Sequence, residues 1–248
     1  MFRLNSLAER LLLFAAVCAL WALVYFGVGH WAAARATVLL DWDPASAAPL
    51  VSAFVIPYLS AYVMPLFVIF SIREMPAYRA YAATVAGVIL VSAVFFALMP
   101  LTILRPEIAG ISASDRLLNG LYAADRPTNL FPSLHVSLAF LFAFGASLDH
   151  PRRKPWMLAW AWLIAASTIF TRQHYVVDAL AGALLAWAAW RICFNRWQRN
   201  RDAIPSGARG TADAVNIIFR ALGQVVINHV LDVWNIQPAR GQVGGHQN

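Results

Sequence analysis

The chain has 248 residues, of which 60% are hydrophobic and 12% charged, against roughly 45–50% and 25% in a typical soluble domain. A soluble globule of this size has no way to hide so much apolar surface, and the same figures exclude a disordered chain. Nineteen Lys and Arg against twelve Asp and Glu give a net charge of +7. The cations lie between apolar stretches, which argues against a nucleic-acid face and for membrane topology.

A membrane-crossing helix needs about 20 apolar residues. Six segments qualify or nearly do: 11–29, 50–70, 81–104, 133–148, 156–170 and 174–194. The fourth and fifth are short, which suggests helices that stop below the surface around a cavity. The second contains Pro57 and Pro65, tolerated where neighbours satisfy the freed carbonyls. The first competes with a signal-peptide reading, because Ala32-Ala33-Ala34 resembles a cleavage site. Its apolar stretch is longer than the usual 7–15 residues. The expected fold class is therefore an all-α membrane protein built as a six-helix bundle.

Fourteen Lys and Arg fall on the side of both termini and five on the other side. The positive-inside bias then places both termini in the cytoplasm. Residues 1–199 form the membrane domain, and 200–248 a cytoplasmic linker and helix. In that tail Asn216, Arg220, Gln224, Asn228 and Asp232 recur every four residues, which draws one polar stripe along a helix. An amphipathic helix on the membrane surface and a helix packed on cytoplasmic loops both fit. A seventh span fits less well, because five polar residues in its middle are costly.

Ionisable residues near the ends of membrane segments are functional candidates. On the outer side they are Arg105-Pro106, the run Phe131-Pro132-Ser133-Leu134-His135, and the run from Thr171 to Asp178. His174 and Asp178 are four apart, a spacing that shares one helix face. The carboxylate can then accept the imidazole Nδ1–H and leave Nε2 as nucleophile or base. Arg172 supplies a guanidinium suited to an anion, phosphate above all. Ser133 opens a helix whose free N–H groups favour anions, with His135 in its first turn. Two His with cations suit phosphoryl transfer through a phosphohistidine, one His attacking and the other protonating the leaving oxygen. No ligand set at metal spacing accompanies them, so neither metal nor cofactor is expected. The 105–132 stretch is long and without strong periodicity, which suggests a gate or acceptor-binding element.

FPSLH followed by TRQHYVVDALAG resembles the type 2 phosphatidic acid phosphatase (PAP2) superfamily, whose usual motifs are K-x6-R-P, P-S-G-H and S-R-x5-H-x3-D. The resemblance covers about residues 36–195 and the six-helix layout. It implies His174 as nucleophile, Asp178 as its orienting carboxylate and His135 as general acid. It implies Ser133, Arg172 and Arg105 as phosphate ligands. The chain departs from the pattern in three places. Leu98 or Asn119 stands where the first-motif Lys would precede Arg105 or Arg126, PSLH replaces PSGH, and Arg172 is two residues before His174. Arg126 therefore competes with Arg105 as the first-motif cation. The forms PSLH and T-R-Q-H-Y-x-x-D resemble the branch containing inositol phosphorylceramide synthases. Asp41, Pro44, Tyr58 and Tyr62 resemble it more loosely.

Three functions follow: a lipid phosphotransferase, a lipid phosphate phosphatase using water on the same site, and a non-enzymatic transporter. A transporter would place charges near the midplane and show paired broken helices, so the first two lead. The expected partners are a lipid substrate and the bilayer, without nucleic acid and with the oligomeric state left open.

Overall fold

The computed structural model describes residues 4–35 and 37–203. The expected C-terminal helix lies outside them, as does the linker beyond residue 203, while residues 200–203 of that linker end the last helix. Among the described residues nine α-helices follow in order: α1 Leu4–Ala33, α2 Val55–Ser60, α3 Met64–Ser71, α4 Met75–Leu98, α5 Ala113–Ala124, α6 Leu134–Ser147, α7 Lys154–Phe170, α8 Val176–Ala189 and α9 Asn195–Ala203. A π-helical turn, Trp190–Phe194, joins the last two.

Among the described residues four stretches are long and apolar enough to cross a membrane: Ser6–Ala33, Ser52–Ser71, Met75–Leu98 and Val176–Arg199. α6 and α7, read from the sequence as short spans, are not among them. α6 has 14 residues and α7 has 17, which at about 1.5 Å per residue is short of a hydrocarbon core of about 30 Å. α6 is short because it is the central helix. It packs against α3, α4, α7 and α8 and buries residues all round its axis, among them Val136, Ala139, Leu141 and Ala143. A helix apolar on every face suits that position.

Proline sets several boundaries. The expected 50–70 span is broken at residues 61–63, and α3 restarts with Pro65 in its first turn. Proline lacks the N–H for a continuous helix and clashes with the carbonyl four residues back. The third span begins earlier and ends earlier than expected. Pro76 opens α4, and Pro100 holds Met99 out of the helical region, as the residue before proline usually is.

α1 leans on α4 and leaves Leu12, Leu23 and Phe26 exposed. Its N-terminal end is anchored by Arg10, which is 1% exposed and donates to the carbonyls of Ile69, Ile72 and Arg73. These are orphan carbonyls at the end of α3, so the guanidinium acts as a C-cap from another helix. The C-terminal end is tied by Asn129, whose Nδ2 donates to the Tyr25 carbonyl at 2.7 Å. Gly29 permits that approach, because a β-carbon there would lie 2.6 Å from Asn129 Nδ2.

Above the bundle a second small core forms from Ala45, Leu101, Ile103, Leu130 and Tyr175. Leu101 of this core also forms an isolated parallel bridge with Val38. The 105–132 stretch, read as an irregular loop, contains α5. Ser112 and Asp115 cap it reciprocally, the pattern that satisfies two orphan N–H groups at a helix start.

Candidate active site

The site is built where the start of α6 crosses the start of α8. Ser133 is the N-cap of α6 and its hydroxyl accepts from Val136 N at 3.3 Å. Its own N–H donates to the Asp178 carbonyl at 3.0 Å. Ser137 Oγ donates to the Gly182 carbonyl at 2.9 Å. Gly182 lets the two backbones meet, so Leu134–His135 and His174–Asp178 lie on one side of a tight crossing.

His174 is 8% exposed and precedes α8, whose N-cap is Tyr175. The expected shared helix face is therefore replaced by an approach across the helix start. His174 Nδ1 lies 3.6 Å from Asp178 Oδ2, an ion-pair distance longer than a hydrogen bond. That oxygen accepts the Tyr175 N–H at 2.9 Å. Asp43, 1% exposed, accepts from Val176 N and Val177 N at 2.9 and 3.0 Å. Two carboxylates thus complement the positive end of α8 and fix where His174 leaves it.

His135 stacks on Tyr58 with ring centroids 4.0 Å apart and meets Tyr62 edge-on at 5.8 Å. Its Nε2 lies 2.9 Å from the Tyr58 carbonyl. A carbonyl only accepts, so Nε2 carries a proton there and Nδ1 is left for exchange. Both histidines line a cavity of about 520 Å³.

Arg105 reaches the outer rim of the site. Its guanidinium donates to Gln173 Oε1 and to the Asp125 carbonyl, lies 3.7 Å from Asp125 Oδ2, and covers the Tyr122 ring at 4.7 Å. Asp125 Oδ1 accepts from the Tyr25 hydroxyl at 2.7 Å. Burial raises the Asp125 pKa, opposed by the Tyr25 hydrogen bond and by the Arg105 and His174 charges. Burial likewise pushes the Tyr122 hydroxyl up to about 12.

The remaining expected ligands lie elsewhere. Arg126 is exposed. Arg172, expected at the phosphate, has its guanidinium on the carbonyls of Ala45, Ser46 and Ala48, at 2.5–2.9 Å. That short turn follows Asp43, so Arg172 braces the element that caps α8. Among the described residues no three His, Cys, Asp or Glu gather as a metal-binding group.

Three residues escaped the sequence reading. Gln173 sits inside the motif, between Arg172 and His174, and holds Arg105. Asp125 directly precedes the Arg126 that drew attention. Asp43 caps a helix about 130 residues away, and nothing local to it in the sequence announces that. Comparison finds no match among curated proteins and none among solved structures. Residues 80–202, which carry both histidines, Asp178 and Arg105, match the model of the PAP2 superfamily, whose members are phosphatases or phosphotransferases acting on phosphoesters, and this fits an enzyme.

Proposed function

We propose that the protein transfers a phosphorylated head group from a lipid phosphoester to a hydroxyl acceptor, through a phosphate carried on His174. The observation that carries this reading is the opening of His174 and His135 onto one cavity whose other walls are mostly apolar. A phosphate at its polar end meets both histidines while the rest of the lipid stays out of water.

Asp178 beside Nδ1 favours Nε2 as the attacking atom. Nε2 bonds to phosphorus, the ester P–O bond breaks, and protonated His135 gives its Nδ1 proton to the leaving oxygen. The acceptor hydroxyl then returns a proton to Nδ1 as its oxygen bonds to phosphorus and the P–N bond breaks. Arg105, bound to the Gln173 that adjoins His174, is the cation assigned to the phosphate, which would displace Asp125 and Gln173 from its fork. Exposed Arg126, and Arg172 turned to the 45–48 carbonyls, are less suited. Ser133 supports the site through the α6 start. Apolar walls favour transfer over hydrolysis, because they keep water from the intermediate. The resemblance to inositol phosphorylceramide synthases points the same way.

The topology belongs to the same reading: six membrane helices, α2 and α3 counting as one, with both termini cytoplasmic and the site on the extracytoplasmic face. The test is to incubate the purified protein with phosphate-labelled phospholipids and lipid phosphates. Acid-labile label on His174 and new labelled lipid species support transfer. Label on His174 with only free phosphate released supports a phosphatase. No label on any histidine removes the mechanism.

A further inference from the structure

The cavity is deep as well as polar at one end. Along α1 its lining runs from Leu13 to Tyr25, and along α4 from Tyr78 to Ile89. At about 1.5 Å per residue these runs are roughly 16–18 Å long. The histidines, Asn129 and Tyr25 lie at the outer end, and Leu13, Phe14 and Val68 lie at the inner end.

Tyr78 and Tyr81 mark the inner limit. Tyr81 is held in place by Gly145, where a β-carbon would stand 2.7 Å from the Tyr81 ring. Tyr78 lies under the Arg10 guanidinium, 4.9 Å from its ring centre. The floor is therefore fixed from outside the cavity. Near the outer end the wall opens sideways: Tyr62 lines the cavity and is also 54% exposed, on an element apolar enough to cross a membrane.

We propose that this cavity receives one alkyl chain of the lipid phosphoester, and that Tyr78 and Tyr81 limit the chain length it accepts. The inference rests on the functional reading above for the identity of the head group only. A cavity of about 520 Å³ that runs roughly 16–18 Å along its helices is on the scale of one alkyl chain. A second chain stays in the bilayer beside Tyr62.

The test uses the full-length protein in lipid nanodiscs and two photoreactive hexadecyl phosphates. One carries its diazirine at the terminal carbon and the other at the second carbon. The terminal probe should label peptides containing Tyr78–Val85 or Leu13–Val17, and the other should label Tyr58–Tyr62. Identical labelling by both, or terminal labelling of lipid-facing Leu12, Phe70 and Leu98, overturns the proposal.

Val85→Trp should fill the middle of the cavity. Capture of hexadecyl phosphate should fall about tenfold, or about 1.4 kcal/mol, while capture of hexyl phosphate is retained. Equal losses for both chains count against the proposal, and the unaltered protein decides alone if this variant does not fold. Labelling needs no turnover. Depth-dependent labelling without phosphohistidine removes the mechanism and keeps the cavity, and phosphohistidine without such labelling does the reverse.

Discussion

Gly182 and Ser133 are in backbone contact: a β-carbon at 182 would stand 2.5 Å from the Ser133 carbonyl oxygen and 3.2 Å from Ser137 Oγ. This crossing fixes the distance between the segment bearing His135 and the segment bearing His174. Backbone does not move aside as a flexible side chain does, so Gly182→Ala must part α6 from α8. Overpacking of this kind costs about 1–3 kcal/mol. The variant should melt at a lower temperature and lose phosphoenzyme formation by more than its unfolded fraction explains. Unchanged labelling kinetics in a stably folded Gly182→Ala would show that the crossing does not set the histidine geometry.

Arg105 and Arg172 should separate in KM. Arg105→Ala removes a guanidinium at the rim of the site together with its bonds to Gln173 and Asp125, so it should raise KM for phosphoester substrates and lower the melting temperature as well. Arg172→Ala removes donors from three carbonyls of the 45–48 turn. A hydrogen bond to a charged group contributes about 1.5–3 kcal/mol, so stability should fall while KM in the folded fraction stays near that of the parent. Raised KM with unchanged melting in Arg172→Ala would restore it as a phosphate ligand.

Much of this arrangement was legible locally. The apolar stretches marked the long helices, but the expected spans run through Pro65 and Pro100, where the structure breaks them. The His-x-x-x-Asp spacing joined His174 to Asp178, although by a turn at the helix start instead of along a helix face. The Ser112-x-x-Asp115 cap and the amphipathic α5 that follows it were present in the sequence and went unread, because the stretch is short and polar between apolar spans. The partners of Arg105 and the role of Asp43 were not legible. Both depend on contacts between segments 20 to about 130 residues apart, and local periodicity carries no record of those. The same limit explains Arg172, whose residue type suits phosphate and backbone carbonyls equally well.

Asp125 gives a pH dependence. Its pKa is raised, chiefly by burial, so the folded protein holds that proton more tightly than the unfolded chain. Stability from this group is present below the ordinary value of 3.8 and is lost as pH rises from there through the raised folded value. Asp125→Asn does not ionise. Its stability relative to the parent should improve across that window and then level off. Parallel melting curves for the two proteins throughout the window would rule out Asp125 as the source.

Topology is tested by the tail. Fourteen of nineteen Lys and Arg lie on the side of the termini in the six-helix reading. A reporter fused after Asn248 should be active only in the cytoplasm. Activity only on the outer side would place the histidines on the cytoplasmic face.

The two histidines should differ in a way that depends on the leaving group. His174→Ala removes the nucleophile, so neither phosphoenzyme nor turnover should remain with any substrate. His135→Ala leaves the nucleophile and removes the proton donor. General acid catalysis is typically worth about 10²–10⁴-fold, and a lipid alkoxide needs that proton to leave. A nitrophenyl phosphate does not, because its leaving oxygen is already a stable anion. His135→Ala should therefore slow phosphoenzyme formation from lipid substrates within that range and largely spare the nitrophenyl ester. Loss of the Tyr58 stack is a separate effect, which His135→Phe would test by keeping an aromatic ring in the slot. If both variants lose lipid and nitrophenyl turnover equally, His135 shapes the cavity and does not donate the proton. If acid-labile phosphate appears on His135 instead of His174, the two roles are reversed.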